Sequence, residues 1–234
     1  MRKLAIFVEG QTEQLFIKRL IEEVAGKKNL TIQLDRLQGG AQSPRAAINE
    51  IIVKSQEETK YYVLIRDSSS DSRVVSDVKD NIYNLQKEGF EKVIGLRDLY
   101  PIALDELKDV EGASNYVIPK NSIDFNIVIA VREIETWFLA EINHYEKIHN
   151  ALNLGEIKNK LNIDLASINT EIIEHPSSML HEIYNLVGFA YKKSRKHVER
   201  TVNALDMENT YLNLSENMKS LMILIGEIDD FLVE

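Results

Sequence analysis

Apolar positions along this chain change rhythm near residue 130. Before that point, short apolar runs alternate with segments of helical period, the pattern of a parallel sheet with crossover helices. Lys3–Val8 predicts a strand, followed by a helix with Leu15, Phe16, Leu20, Ile21 and Val24 on one face and a stop near Gly26. Leu30–Leu37 alternates as a second strand, closed by Gly39-Gly40. Ser43-Pro44 then reads as a helix start, a capping hydroxyl before proline at the first helical position, with Ala47, Ile48, Ile51 and Ile52 on that helix. Tyr61–Ile65 is unbroken apolar strand, as expected when both faces are covered. A helix carrying Val74, Val75, Val78, Ile82 and Leu85 follows, with Gly89 as its stop, and then a strand at Val93–Leu96. Residues 102–122 read as irregular with one short helix, and Phe125–Val131 as another strand. From there on the periodicity is helical, at about 136–150, 177–192, 195–205 and 215–232.

The expected fold class is therefore α/β: a mostly parallel sheet flanked by helices over 1–140, with a helical C-terminal region, 141–234, packed on it. The 234 residues, 44% of them hydrophobic, suffice for one well-buried core. No apolar run approaches the roughly 20 residues that span a bilayer, and Leu4–Val8 is too short for a signal peptide. There is no cysteine, so disulfides, thiolate nucleophiles and cysteine-based zinc sites are all excluded. These features predict a cytoplasmic protein. A formal charge of −9 argues against a protein that coats DNA by bulk attraction. It leaves nucleic acid open as a substrate, because bound cations or a local basic patch can reverse the field at a site.

In an open parallel sheet the functional crevice lies beyond the carboxyl ends of the strands. Acids follow four of the five predicted strands there: Glu9, with Glu13 four residues on; Asp67 with Asp71; Asp98; and Glu133 with Glu135. Clustered carboxylates raise each other's pKa unless a cation sits between them. Hard oxygen ligands without histidine or cysteine suit Mg²⁺ or Mn²⁺, and such ions support phosphate-ester chemistry. Each acid also has an ordinary reading. Glu9-Gly10 serves as a polar turn with Glu13 favoured by the helix dipole, and Asp71 or Ser70 as a helix cap. Asp98 reads as structural, and Glu135 as a first-turn helix residue before Trp137. Glu133 and Glu135 point to the same side of an extended segment. The segment Tyr191–Arg200 holds five Lys/Arg in an acidic chain. It reads either as a solvated helix face or as a phosphate contact, with Lys192 or Lys193 stabilising charge on a scissile phosphate and Arg195 and Lys196 extending the nucleic-acid contact. Ser43-Pro44-Arg45 is a lesser phosphate candidate. No histidine has ligand spacing: His144 and His149 fall on a polar helix and His175-Pro176 in a turn. Gly39-Gly40 forms neither a dinucleotide fingerprint nor a P-loop.

Val8-Glu9-Gly10-Gln11-Thr12-Glu13 after a strand, then a strand ending in Asp67, resembles the Toprim domain of topoisomerases, bacterial primases and OLD-type nucleases. Arg66-Asp67, Glu135-Thr136-Trp137 and Tyr191-Lys192-Lys193 extend the likeness to small standalone bacterial Toprim-like proteins. The resemblance implies a Mg²⁺ or Mn²⁺ site using Glu9, Glu13 and Asp67, with Asp71 and Glu135 as auxiliary ligands. It implies a phosphodiesterase or nuclease acting on DNA or RNA, with a role in phage defence, a homodimer, or a partner protein encoded nearby. One departure bears on activity: the usual Asp-x-Asp is Asp67-Ser68-Ser69 here, with Ser69 in place of the second acid. The alternative expectation is accordingly a weak or inactive Toprim-like module that binds a partner protein or nucleic acid.

Overall fold

A computed structural model describes residues 1–26, 29–40, 43–54, 58–119 and 123–233. Six strands form one sheet: β1 (Arg2–Val8), β2 (Leu30–Gly40), β3 (Ser43–Val53), β4 (Tyr61–Asp67), β5 (Lys92–Asp98) and β6 (Asp124–Ala130), in the order β3-β2-β4-β1-β5-β6. All neighbours run parallel except the β2–β3 hairpin, which is antiparallel. The helices in the first half are α1 (Gln11–Ala25), α2 (Val74–Lys87) and α3 (Leu107–Tyr116). In the second half come α4 (Glu135–Ala140), α5 (His144–Ile148), α6 (Leu154–Leu161), α7 (Pro176–Asn185) and α8 (Arg195–Ala204). The chain ends with α9 (Met207–Asn209), a π-helical turn at Thr210–Leu214, α10 (Ser215–Asn217) and α11 (Lys219–Leu232). The α/β class and the mostly parallel sheet are as the sequence predicts. Among the described residues, no helix is long and apolar enough to cross a membrane.

Period two in β1 assigns its side chains to the two faces of the sheet. Leu4, Ile6 and Val8 pack with Phe16, Leu20 and Ile21 of α1, with Trp137 and Phe138 of α4, and with Leu224 and Ile228 of α11, all in one continuous core. Ala5 and Phe7 face the other way, onto Val74, Val78 and Ile82 of α2. The helices after residue 134 thus share the apolar core of the sheet. One glycine fixes a close approach. A Cβ on Gly95 would lie 2.5 Å from Ile127 Cδ1 and 3.2 Å from Val74 Cγ1, so any side chain there would push Ile127 aside where β5, β6 and α2 meet.

The helix predicted after Ser43-Pro44 is instead strand β3. Ile48, Ile51 and Ile52 have the i, i+3, i+4 spacing of a helix, but the β-branched run Ile51-Ile52-Val53 favours extended backbone and pairs with β2. Proline is tolerated because β3 is an edge strand, where a missing donor costs no ladder bond. The phosphate contact suggested at Ser43-Pro44-Arg45 loses its helix N-terminus. The helix expected at about 136–150 breaks at Glu141–Asn143, because the Glu141 carboxylate turns inward to accept from the backbone N–H groups of Asn143 (3.0 Å) and Asp206 (3.1 Å). The helix expected at 177–192 stops at Asn185, ahead of a left-handed turn at Gly188. His144 is fully buried, with Nε2 2.9 Å from the Tyr184 hydroxyl, and does not sit on a polar face.

Candidate functional site

Strand register decides which side chains meet. Val8 pairs with Asp67 on one side and Leu96 on the other, and Asp98 pairs with Ala130. The carboxyl ends of β4, β1, β5 and β6 therefore finish nearly level. Glu9, Asp67, Asp98 and the segment leading to Glu133 and Glu135 all leave the sheet at that edge.

Backbone amides fix the carboxylates one after another. Glu9 Oε1 accepts from the Asp98 N–H (2.8 Å), and Asp98 Oδ1 accepts from the Ile134 N–H (2.9 Å). Glu133 Oε2 accepts from the N–H of Ser177 in the first turn of α7 (3.1 Å). Glu13 Oε2 caps its own helix by accepting from the Gly10 N–H (2.9 Å). Glu135 differs. Its Oε1 accepts from the Tyr191 hydroxyl (2.8 Å), but its fully buried Oε2 has no hydrogen-bond partner.

One oxygen each from Asp98, Glu133 and Glu135 lie within 4.8 Å of one another. The Lys193 ammonium sits among them, 3.2 Å from Glu133 Oε1 and 3.7 Å from Glu135 Oε2. Burial, and then the charge of Glu135, lift Glu13 to about 7. Burial with Glu13, Glu9 and Glu135 holds Asp98 well above the usual carboxylate range. Burial also raises Glu135, and Lys193 offsets only part of the effect. Burial pushes Glu133 up too, but the Lys193 charge and the Ser177 amide outweigh it and leave this carboxyl low. Burial disfavours the Lys193 ammonium, yet the surrounding Glu135, Asp98, Glu133 and Glu13 keep it firmly charged.

A cleft of about 390 Å³ opens beside this group, lined among others by Glu9, Glu13, Lys193, Asp67, Ser69 and Arg36. Asp67 ends β4, level with Val8 of β1. Its Oδ1 accepts from the Ser69 N–H (2.6 Å), closing an Asx turn, and its Oδ2 faces Arg36 Nε at 3.8 Å. Burial still lifts its pKa. Ser69 stands in the left-handed region (φ 56°), and its hydroxyl donates to the Leu37 carbonyl (3.0 Å), so it ties the loop to β2. The backbone of Asp71 begins a short 3₁₀ turn, Asp71–Arg73; its side chain lies outside the described residues.

The structure thus brings Glu9, Glu13, Glu135 and Lys193 together, and Asp67 lines the same cleft as Glu9, Glu13 and Lys193. Lys192 is exposed and has no ion-pair partner among the described residues, Arg195 pairs with Glu199 (2.7 Å), and Lys196 is exposed. Asp98 and Glu133, expected only as strand-end acids and not as ligands, hold central places. Their position, Asp98 at the end of β5 and Glu133 shortly after β6, was the available signal. Arg36 was not visible as a cleft residue, because β2 reads only as an alternating strand.

No curated protein and no solved structure matches the chain. A family model described as a domain of unknown function (DUF4276) matches residues 8–209. That span runs from the last residue of β1 through α9 and includes every acid of the site, and the chain belongs to this family.

Proposed function

We propose that the chain is a Toprim-like, divalent-metal-dependent phosphodiesterase acting on DNA or RNA in the cytoplasm, in a phage-defence setting. The observation that carries this reading is the buried trio Asp98, Glu133 and Glu135, with ligand oxygens within 4.8 Å of one another. The donor set fits a hard cation: it is all oxygen, and Glu135 Oε2 is buried without a hydrogen bond. Lys193 occupies the place between carboxylates that a cation would take. Mg²⁺ or Mn²⁺ bound there would polarise a phosphodiester and acidify water.

The chain's own groups then divide the work. Asp98, Glu133 and Glu135 hold the ion, and Glu9 lies beside them on the Asp98 amide. Glu13, which titrates near neutrality, is suited to move a proton. Lys193, released from the carboxylates, neutralises charge on the phosphate. The Glu-Gly-x-Thr-Glu start at Glu9 supports the Toprim reading. Asp67, engaged by Ser69 and Arg36, supports one ion at the trio better than a second ion beside it.

A binding module is the second reading, favoured by Lys193 already compensating the buried acids. Purified protein with Mn²⁺, supercoiled plasmid and structured RNA separates the two. The phosphodiesterase reading expects cleavage that Glu135→Gln, Asp98→Asn and a chelator each abolish. Intact substrates together with no Mn²⁺ binding by calorimetry would overturn it.

A further inference from the structure

A second cavity, also about 390 Å³, shares Lys193 with the acidic cleft but differs from it in chemistry. It is lined by Ser177, Ser178, His181, Glu182, Tyr191 and Lys192 in addition to Lys193. Glu182 is its single carboxylate among the described residues, against two ammonium groups, two serine hydroxyls and an imidazole. The imidazole is oriented. His181 Nδ1 accepts from the Tyr191 N–H (3.1 Å), so the neutral ring carries its proton on Nε2 and presents a donor there. Lys192 has no ion-pair partner among the described residues and is exposed, as is Ser178. The two serines lie in the first turn of α7, where the positive end of the helix adds to the same field.

We infer that this cavity binds a phosphate of a nucleic-acid strand next to the one that enters the acidic cleft, through His181 Nε2–H, the Ser178 hydroxyl and the Lys192 ammonium. The inference rests on the proposed phosphodiesterase reading and adds to it that the substrate is a polynucleotide, engaged through at least two phosphates. Lys193 borders both cavities, so consecutive phosphates of one strand fall on either side of it. Hydrogen bonds from charged and neutral donors converging on one phosphate are the strong kind.

The test uses the full chain and two probes. One is a fluorescein-labelled thymidine 10-mer, with binding read by anisotropy in Ca²⁺. The other is bis(p-nitrophenyl) phosphate, a single diester, with hydrolysis read in Mn²⁺. His181→Asn keeps an acceptor for the Tyr191 amide and deletes the Nε2 donor; Ser178→Ala deletes the hydroxyl. Both are expected to weaken 10-mer binding by about tenfold and to leave bis(p-nitrophenyl) phosphate hydrolysis unchanged. Lys192→Ala is expected to make the salt dependence of 10-mer binding shallower by about 0.7 in log–log slope, the loss of one phosphate contact on a single strand. Variants that bind the 10-mer like the parent, variants that lose both readouts equally, or a parent that does not bind the 10-mer overturn the inference. A parent that does not hydrolyse bis(p-nitrophenyl) phosphate, while the variants still lose 10-mer affinity, leaves this cavity standing and removes the phosphodiesterase reading instead.

Discussion

The Tyr191 hydroxyl donates to Glu135 Oε1 across 2.8 Å, joining residues 56 apart in sequence. Both are buried, Glu135 fully. The bond leaves the second oxygen of Glu135 facing the carboxylate group and Lys193. A tyrosine between α7 and α8 thereby orients the acid that opens α4.

Tyr191→Phe removes this bond and keeps the ring packed against Tyr184. With its orientation lost, Glu135 becomes a poorer ligand. Mn²⁺ affinity by calorimetry is expected to fall by roughly 10- to 100-fold, the usual cost of losing a partner that orients a metal ligand, with the fold intact by circular dichroism. Unchanged affinity would remove Glu135 from the metal site.

Lys193→Met deletes the cation that offsets the four buried acids Glu13, Asp98, Glu133 and Glu135. The Lys193 side chain is 48% exposed, so solvent already screens the pair and the loss is smaller than for a fully buried one. Without metal, Tm is expected to drop by several degrees, at about 2–4 °C per kcal/mol for a chain of this size. Mn²⁺ is expected to raise Tm more in the variant than in the parent, because it takes over the same neutralising role. Differential scanning fluorimetry with and without Mn²⁺ reads both effects.

The pH dependence follows from the direction of the shifts. Glu13 rises from its ordinary 4.5 to about 7 by burial and the neighbouring Glu135, and Asp98 and Glu135 are raised as well. In the window from about 4.5 to 7 the folded chain therefore holds more protons than the unfolded chain. The stability contributed by these protonated acids is complete below the unfolded pKa and is lost as pH rises through the folded one. Asp67 is raised with them, whereas Glu133, Glu141, Asp164 and Asp206 are held low and oppose the trend; the buried cluster of raised acids sets the expected sign. Metal-free protein is expected to resist urea better at pH 5 than at pH 8, and Mn²⁺ to shrink the difference by favouring the ionised forms. Metal-free stability that rises over that interval would contradict the assignment.

Gly95→Ala tests the packing beneath the site. The new methyl would overlap Ile127 Cδ1 and crowd Val74 Cγ1, at the level where β5 leads to Asp98. A cost of about 1–3 kcal/mol in chemical denaturation is expected, the range for overpacking a filled core.

Local sequence determined the parallel strands, the helix after Glu9 and the placing of acids after strand ends, because a buried strand or amphipathic helix repeats its apolar pattern within a few residues. β3 was not legible, because Ile48, Ile51 and Ile52 have helical spacing and only pairing with β2, through an irregular register, overrides it. Nor was the grouping of the acids. Glu9 and Asp67 end neighbouring strands and look alike in sequence, yet Glu9 turns to the Asp98 amide while Asp67 closes an Asx turn with Ser69 and faces Arg36. Asp98 and Glu133 stand out in sequence only as strand-end acids, and strand register is what sets them level with Glu135. Lys193 reads as part of a basic surface segment until the chain beyond α7 brings it onto Glu133 and Glu135. The sequence by itself put carboxylates at the edge of the sheet. Which of them face one another, and which lysine lies among them, was decided by strand order and by the return of the C-terminal helices to the same core, since both arise from contacts between residues far apart in the chain.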